Sequence, residues 1–464
     1  MSYFMKDSIK THAISANKNN ADADLLRRVR SGEFKIAVYG LGHVGSPLAS
    51  AWLRAGAHLI GVDSSSEVLK NARKGRTHIY EPGVNEAFSK GLKEKRFHLY
   101  SDPIKASQDS HFKLICVPVL LLTSSFSADL SAVKQVTTAI GQGLKKGDVV
   151  SLNPSVPPGT SEDIVIPLLA KESGLKVEQD FYMVYNPERI YEGRAIEDIE
   201  VRYPAIVAGA GVKSLEIGAK LYSLVAKKGV LKIGNMRTAE AEKLLEGVYR
   251  DVNIALANEM AKFCEKVGVD FWVAREAANS QPFCHIHKPG AGVGGACIPV
   301  YPQFILHAAS ASGVECKIIS LGRNVNDSMP AYCVEQALKL IDVADVSKCI
   351  VALLGLGFRG GVSDTRLSPT YKVIEELKKL KVKEIRVHDP FITTDPNLPH
   401  DIMLTSNLSK AAKNAHLVIL VSDHAEYRNI TNEDLNGAAI YDGRGTLDRS
   451  RFAALRFASI GRPS

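Results

Sequence analysis

The apolar run Phe34-Lys35-Ile36-Ala37-Val38-Tyr39 leads straight into Gly40-Leu41-Gly42-His43-Val44-Gly45, and no other stretch constrains the fold as tightly. A helical pattern follows through Ala55, and a second apolar run, His58 to Val62, ends on Asp63. Strand, Gly-x-Gly-x-x-Gly, helix, strand and acid in this order and spacing describe a dinucleotide-binding βαβ unit. The glycines let the backbone approach a pyrophosphate at the helix N-terminus. An acid about 20 residues further on accepts hydrogen bonds from the adenosine ribose. Gly40, Gly42, Val44, Gly45 and Asp63 are therefore expected to hold the cofactor, and the acid, where NADP would call for an arginine, favours NAD. A tight turn without a ligand would explain the glycines but not the strands and acid around them.

Further strands are expected at Phe112 to Val117, Asp148 to Leu152, Phe181 to Tyr185 and Ala205 to Ala208, with helical segments between them. This alternation predicts a parallel, doubly wound α/β sheet. Two of the strands end in turns, Asn153-Pro154-Ser155-Val156-Pro157-Pro158-Gly159-Thr160 and Asn186-Pro187-Glu188-Arg189-Ile190-Tyr191-Glu192-Gly193. Ligands gather outside the carboxyl ends of strands in such sheets, so both loops should face the nicotinamide end of the cofactor. Glu188 reads equally well as a carboxylate capping a helix start.

From Thr238 a single helix is expected through about Val267, with Leu244, Leu245, Val248, Val252, Leu256, Met260, Phe263 and Val267 at helical spacing. It could join two domains or pack against its copy in a dimer. Lys243 and Gly247, four apart, share one face, and the glycine costs roughly 1 kcal/mol there against alanine. After Asn324-Val325-Asn326-Asp327 and a helix through Val343, the first unit is echoed: Cys349 to Leu354 enters Gly355-Leu356-Gly357-Phe358-Arg359-Gly360. Strands are then expected at Glu384 to His388, His416 to Val421 and Ala439 to Asp442. The predicted architecture is two Rossmann-like, doubly wound domains joined by a long central helix and a helical middle domain. Its expected parts are an N-terminal extension (1–33), a cofactor domain (34–215), a central helical or dimerisation domain (216–330) and a second Rossmann-like domain (331–464).

A length of 464 residues calls for two to three domains. No apolar run reaches the 18 or more residues of a membrane span, and Met1 to Asn20 lacks the apolar core of a signal peptide, which places the chain in the cytoplasm. The net charge of +8 comes without the dense basic runs of a nucleic-acid binder and suits an anionic small molecule. Seven cysteines without a Cys-x-x-Cys pair argue against a disulfide framework or structural zinc. Cys284-His285-Ile286-His287 lacks a second ligand pair and is a poor metal site, so no metal is expected.

The chemistry is expected at Gly290-Ala291-Gly292-Val293-Gly294-Gly295-Ala296-Cys297-Ile298-Pro299-Val300-Tyr301, a thiol in a glycine-rich loop closed by proline. The motifs Gly40 to Gly45, Glu81-Pro82-Gly83, Ser155 to Thr160, Pro187-Glu188-Arg189, Arg250-Asp251-Val252-Asn253-Ile254, Gly292 to Pro299 and Asp364-Thr365-Arg366-Leu367-Ser368-Pro369 run from about Phe34 to Leu447. Together they resemble the UDP-glucose/GDP-mannose 6-dehydrogenase family, most of all its UDP-N-acetylmannosamine branch. The resemblance implies an NAD-dependent, four-electron oxidation of a sugar C6 alcohol to a carboxylate. It makes Cys297 the nucleophile that forms a thiohemiacetal and then a thioester, and Lys243 the cation beside the oxyanion. Glu188 handles the hydrolytic water, which Ser155 orders. The cofactor set gains Val117, Pro118, Ser155 and Arg366. The sugar nucleotide falls to Glu188, Arg189, Glu192, Lys243, Gly292, Gly294, Phe358 and Arg359. A homodimer is implied, with neither nucleic acid nor membrane as partner.

Four positions depart from the family pattern. Gly247 replaces an asparagine, removing an oxyanion donor of about 3 kcal/mol. Tyr301 replaces an aspartate, Ala296 the branch's histidine, and Phe283 a substrate-contacting arginine. Each removes a polar or charged group, so the expected pocket is drier and less charged. The leading reading is a UDP-hexose 6-dehydrogenase, UDP-N-acetylmannosamine favoured, that supplies precursors of surface polysaccharide. Beside it stand two others: an altered reaction that stops at the aldehyde or takes another nucleotide sugar, and a non-catalytic nucleotide-sugar-binding paralogue.

Overall fold

The computed structural model describes residues 19–341, 345–452 and 455–463. The expected N-terminal extension lies outside the described residues as far as 18, and so does Val343; from Asn19 to Ser31 the extension is a helix. The chain divides into two units, Met1–Leu244 and Leu245–Ser464, with the division inside the long helix Met236–Val267.

The first unit holds β1 (Ile36–Tyr39), β2 (Leu59–Val62), β3 (Phe97–Tyr100), β4 (Phe112–Ile115), β5 (Leu120–Leu122), β6 (Ser127–Asp129), β7 (Val149–Leu152), β8 (Tyr182–Tyr185), β9 (Ala205–Gly209) and β10 (Val230–Ile233). Apart from the β5–β6 hairpin they form one sheet in the order β10-β9-β8-β7-β4-β1-β2-β3. Strands β1, β2, β4 and β7 are buried along their whole length, as continuous apolar runs must be when helices cover both sheet faces. One face packs on Trp52, Phe88, Phe97 and Tyr222, the other on Tyr39, Ile140, Phe181 and Tyr185. Strand order reverses between β1 and β4, and ligands of open α/β sheets bind at such a switch point.

The sheet is not wholly parallel. Strand β9 runs antiparallel to β8, with Val184 opposite Gly209, and β10 follows β9 in parallel. Between β8 and β9 the chain forms only a short helix, Ala195–Glu197, and a five-residue π turn, Asp198–Arg202. A parallel neighbour needs a crossover, usually a full helix; an antiparallel one does not. Because β10 belongs to this sheet, the first unit continues past the expected boundary at 215.

The second unit contains helices Phe271–Asn279, Tyr301–Ala311 and Lys317–Leu338, followed by a six-stranded sheet. Its strands are β11 (Ile350–Leu354), β12 (Glu384–His388), β13 (Met403–Thr405), β14 (Leu417–Leu420), β15 (Ala439–Asp442) and β16 (Phe457–Ser459). They lie parallel in the order β13-β12-β11-β14-β15-β16. Asn324 to Asp327, expected ahead of a helix, lie inside Lys317–Leu338. Of these, Asn326 serves the interior: its Nδ2 donates at 2.9 Å to Asp251, the carboxylate that also accepts from the neighbouring Arg323 Nη1 at 2.5 Å. The apolar stripe of the long helix is split, with Leu244 and Val248 buried and Leu245, Leu256, Phe263 and Val267 exposed.

Asp251 is fully buried and Arg323 nearly so. Removing one partner of such a pair strands the other charge, so Asp251→Ala should cost about 3–5 kcal/mol in urea unfolding. Asp327, which meets Arg323 from an exposed position at 2.7 Å, should cost less than about 1 kcal/mol as Asp327→Ala.

Candidate active site

The three glycines of the first loop do three different things. Gly40, with φ of +91°, makes the turn off β1, and its N–H donates to Val62 O at 2.8 Å. A Cβ at Gly45 would lie 1.8 Å from Gly40 O, so only glycine lets helix Gly45–Arg54 start this close to the strand. A Cβ at Gly42 would meet no atom within 4 Å: nothing in the protein demands glycine there, and the open backbone is what an approaching pyrophosphate needs. Asp63, at the end of β2, accepts from Leu41 N through Oδ2 and from Ser65 N through Oδ1, both at 2.8 Å. Val117 and Pro118 follow β4, the strand next to β1. These residues fit the dinucleotide the sequence implied.

The loops after β7 and β8 are clamped together by residues the sequence reading passed over. Asn153 Nδ2 donates to Asn186 Oδ1 at 3.0 Å and to Tyr222 Oη at 2.8 Å, and Asn186 Nδ2 donates to Ile206 O at 2.7 Å. The signal was present, since both loops open with Asn-Pro. Buried Glu240, near the start of the long helix, accepts from Gly159 N at 2.5 Å and Ser161 N at 2.8 Å, pinning the loop that carries Ser155. Glu81 accepts from Gly193 N at 2.8 Å and Ala195 N at 2.7 Å and holds the far end of the Glu188 loop. Glu192 in that loop meets His43 Nδ1 at 3.1 Å.

Glu188 is half-buried and accepts from Arg189 N at 2.9 Å; it caps no regular helix. Loss of hydration pushes its carboxyl up to about 7, against the opposing pull of Lys243 and of the Arg189 N–H and guanidinium. A carboxyl that titrates near neutrality is suited to exchanging protons with a substrate or a water. The unit thus brings together Glu188, Lys243 and Arg189, whose guanidinium donates to Pro204 O at 2.7 Å.

The second unit builds the cysteine loop by close backbone approach. Gly292, at φ of +132°, packs on Pro330 and Pro369; a Cβ at Gly294 would lie 2.6 Å from Leu367 O, and one at Gly295 3.0 Å from the Phe358 ring. Gly295 N donates to Arg366 O at 2.8 Å, and Asn258 Oδ1 accepts from Gly290 N at 2.9 Å. Cys297 emerges exposed, and its carbonyl accepts from Val300 N at 3.1 Å and Tyr301 N at 3.0 Å at the start of helix Tyr301–Ala311. Arg366 forks onto Asp364 through Nε at 2.8 Å, and Arg359 stacks over Phe358 at 5.6 Å. Of the departures, Tyr301 and Gly247 are buried, Ala296 is half-buried and Phe283 is 92% exposed. His285 and His287 pack edge to face, 5.4 Å apart, with Tyr249 on the far side of His287.

The family's NAD binding domain matches residues 34–226, its central domain 237–328 and its UDP binding domain 352–449. The chain belongs to the UDP-glucose/GDP-mannose dehydrogenase family. It is 33% identical, over 92% of its length and 99% of the relative's, to the UDP-N-acetyl-D-mannosamine dehydrogenase of Pyrococcus horikoshii. It is 31% identical to the NDP-N-acetyl-D-galactosaminuronic acid dehydrogenase of Ralstonia nicotianae, over 90% and 97% of the two chains. A solved structure of UDP-D-ManNAc dehydrogenase from P. horikoshii superposes with a TM-score of 0.83, covering 92% of this chain and 99% of that one at 32% identity. The protein is an NAD-dependent oxidoreductase acting on a UDP-sugar. Among the described residues no helix is long and apolar enough to cross a membrane.

Gly42→Val separates binding from folding. With no protein atom near the new side chain, the thermal midpoint should stay within about 2 °C, under 1 kcal/mol for a chain of this size. NAD affinity, measured by calorimetry, should fall at least tenfold.

Glu188 gives a stability signature with a definite sign. Its folded value lies above the ordinary carboxylate range, so the stability it contributes is present at pH 4 and is lost as pH rises through about 7. Glu188→Gln should therefore match the wild-type midpoint near pH 4 and exceed it by roughly 2–4 °C at pH 8.

Proposed function

We propose that this protein oxidises the C6 alcohol of UDP-N-acetylmannosamine to the uronate, with Cys297 as the covalent nucleophile. The observation that carries the reading is the exposed thiol after a glycine loop packed tightly on Pro330, Phe358, Leu367 and Pro369, in a chain whose other unit holds a complete dinucleotide loop. Full-length similarity to an enzyme named for UDP-N-acetyl-D-mannosamine favours that sugar. Similarity to one named for a galactosaminuronic acid makes a second N-acetylated sugar the competitor to test.

Gly40, Gly42, Val44, Gly45 and Asp63 would hold NAD, which would supply the hydride acceptor for two successive oxidations. The protein's own groups do the rest. Glu188, near neutrality in its acidity, takes the alcohol proton in the first oxidation. The Cys297 thiol gives its proton to solvent and its sulfur adds to the aldehyde carbon, forming a C–S bond, with Lys243 assigned as the cation that stabilises the hemithioacetal oxygen. After the second oxidation the product is a thioester. Glu188, having passed the alcohol proton to solvent, deprotonates a water ordered by Ser155; the water attacks the thioester carbonyl, the C–S bond breaks, and the leaving sulfur takes up the proton from Glu188, releasing carboxylate and thiol. Arg189, Glu192, Phe358, Arg359 and the backbone at Gly292 and Gly294 hold the sugar nucleotide, while Val117, Pro118 and Arg366 complete the cofactor set. The protein is proposed to be a homodimer, a reading supported by the exposed apolar side chains Leu245, Leu256, Phe263 and Val267 on the long helix. Its place is the cytoplasm, where it supplies a uronate for surface polysaccharide.

Purified protein with NAD and UDP-N-acetylmannosamine should yield two NADH per sugar consumed. Cys297→Ala should yield no acid. One NADH per sugar would mean oxidation stops at the aldehyde, and tight UDP-sugar binding without any NADH would mean a binding protein. The acid limb of kcat should fall near pH 7, because protonation removes the base, and should vanish in Glu188→Gln.

A further inference from the structure

Gly247 lies within a helix, its φ is not positive, and no turn requires it. Its reason is a neighbour in the same unit. A Cβ at 247 would stand 2.4 Å from Tyr301 Cδ2, 3.2 Å from Cγ and 3.3 Å from Cβ. The first distance is far inside van der Waals contact, so the tyrosine ring already fills the volume that any side chain at 247 would need. A conformationally costly residue is retained here for space alone.

That ring belongs to the turn that presents the thiol. Tyr301 is buried, is the first residue of helix Tyr301–Ala311, and donates its backbone N–H to the carbonyl of Cys297 at 3.0 Å. Val300 N donates to the same carbonyl at 3.1 Å. Ring, backbone turn and thiol are consecutive, so seating the ring on the long helix sets where the Cys297 turn begins. The loop upstream is tied to the same helix through Asn258, which accepts from Gly290 N at 2.9 Å. The turn is thus anchored on both sides of the cysteine, by a polar contact before it and a steric one after it.

We propose that Tyr301 is a positioning residue for Cys297 and that Gly247 and Tyr301 form one steric pair, each requiring the other. The proposal rests on Cys297 being the nucleophile, and the contact it invokes is the steric one between the ring and position 247. The two positions that depart most visibly from the family pattern are then a single exchange. A side chain on the helix has been given up, and an aromatic ring on the cysteine turn has taken its volume.

The test is a double-mutant cycle on the full-length protein, read by the rate of iodoacetamide alkylation at Cys297 in peptide mass spectra. Half-buried Cys264, toward the far end of the long helix, serves as the internal control. Gly247→Ala alone should change the Cys297 rate at least fivefold. The same substitution in a Tyr301→Ala background should change it less than twofold, and Tyr301→Phe should stay within twofold of wild type. Cys264 should stay within twofold throughout. Equal effects of Gly247→Ala in both backgrounds would overturn the proposal, and so would parallel changes at Cys264, which mark general loosening. Should Gly247→Ala fail to fold, recovery of a folded protein in the double variant supports the pair; failure of both overturns it. Alkylation needs no turnover, so absence of UDP-sugar oxidation would sink the proposed activity and leave this result standing.

Discussion

A carboxylate at the end of a strand that captures the backbone of a glycine loop is the interaction on which both halves of this protein depend. Asp63 takes Leu41 N at 2.8 Å in the first unit, and Asp389 takes Leu356 N at the same distance in the second. A loop that leaves a buried strand carries N–H groups that no strand neighbour can satisfy, and an unsatisfied buried donor is costly. One acid at the end of the next strand, 22 residues on in the first unit and 33 in the second, meets that need and fixes the loop before any ligand arrives. The glycine loop at the carboxyl end of β1 is therefore already held.

The same logic recurs in the first unit with other residues. Asn153 and Asn186 join two loops, Glu240 pins a third point through two backbone N–H groups, and Glu81 ties the end of the Glu188 loop. Such contacts keep catalytic groups in place without reorganisation, which is where much of a catalytic advantage arises. Burial carries a cost. A carboxyl that burial raises to about 7 weakens the fold above that pH, so the environment of Glu188 is held at the expense of stability.

The parts of the fold legible in the sequence are those where one physical demand dominates. Strands β1, β2, β4, β7, β11 and β14 are interior to their sheets, covered on both faces, and appear as apolar runs broken only at Gly61, Lys113 and Ser151. Edge strands are different. Phe97-His98-Leu99-Tyr100 and Val230-Leu231-Lys232-Ile233 mix polar and apolar residues because solvent reaches them, and nothing local distinguishes them from loops. Strand direction is not a local property either, so the reversal at β9 was invisible. Asn324 to Asp327 is expected to precede a helix, but the run is inside one, and Asn326 Nδ2 donates to buried Asp251 from it. For the candidate site, the glycine spacing and the isolated cysteine were legible because the chemistry demands particular residue types. The clamps were not, since a buried Asn or Glu announces itself only through its partners.

The echo between the two glycine loops invites a second cofactor site, and the geometry argues against one. In the first loop the middle glycine faces open space, with no atom within 4 Å of a Cβ at Gly42. In the second, a Cβ at Gly357 would stand 2.8 Å from Val362 O, and one at Gly360 2.2 Å from Asp423 O. The acids differ in the same sense. Asp63 accepts from Leu41 N and Ser65 N, whereas Asp389 accepts from Leu356, Gly357, Phe391 and Ile392 and also meets His424 Nε2 at 3.2 Å. A carboxylate has about four acceptor positions, and in Asp389 the protein's own donors occupy them. The second loop is therefore folded onto itself, with Arg444 reaching Phe358 O at 3.3 Å and Asp423 holding Gly360 N at 2.8 Å. The same motif makes a ligand cradle where the strand-end loop is left open and a rigid platform where it is closed, and Phe358 and Arg359 stand on the platform.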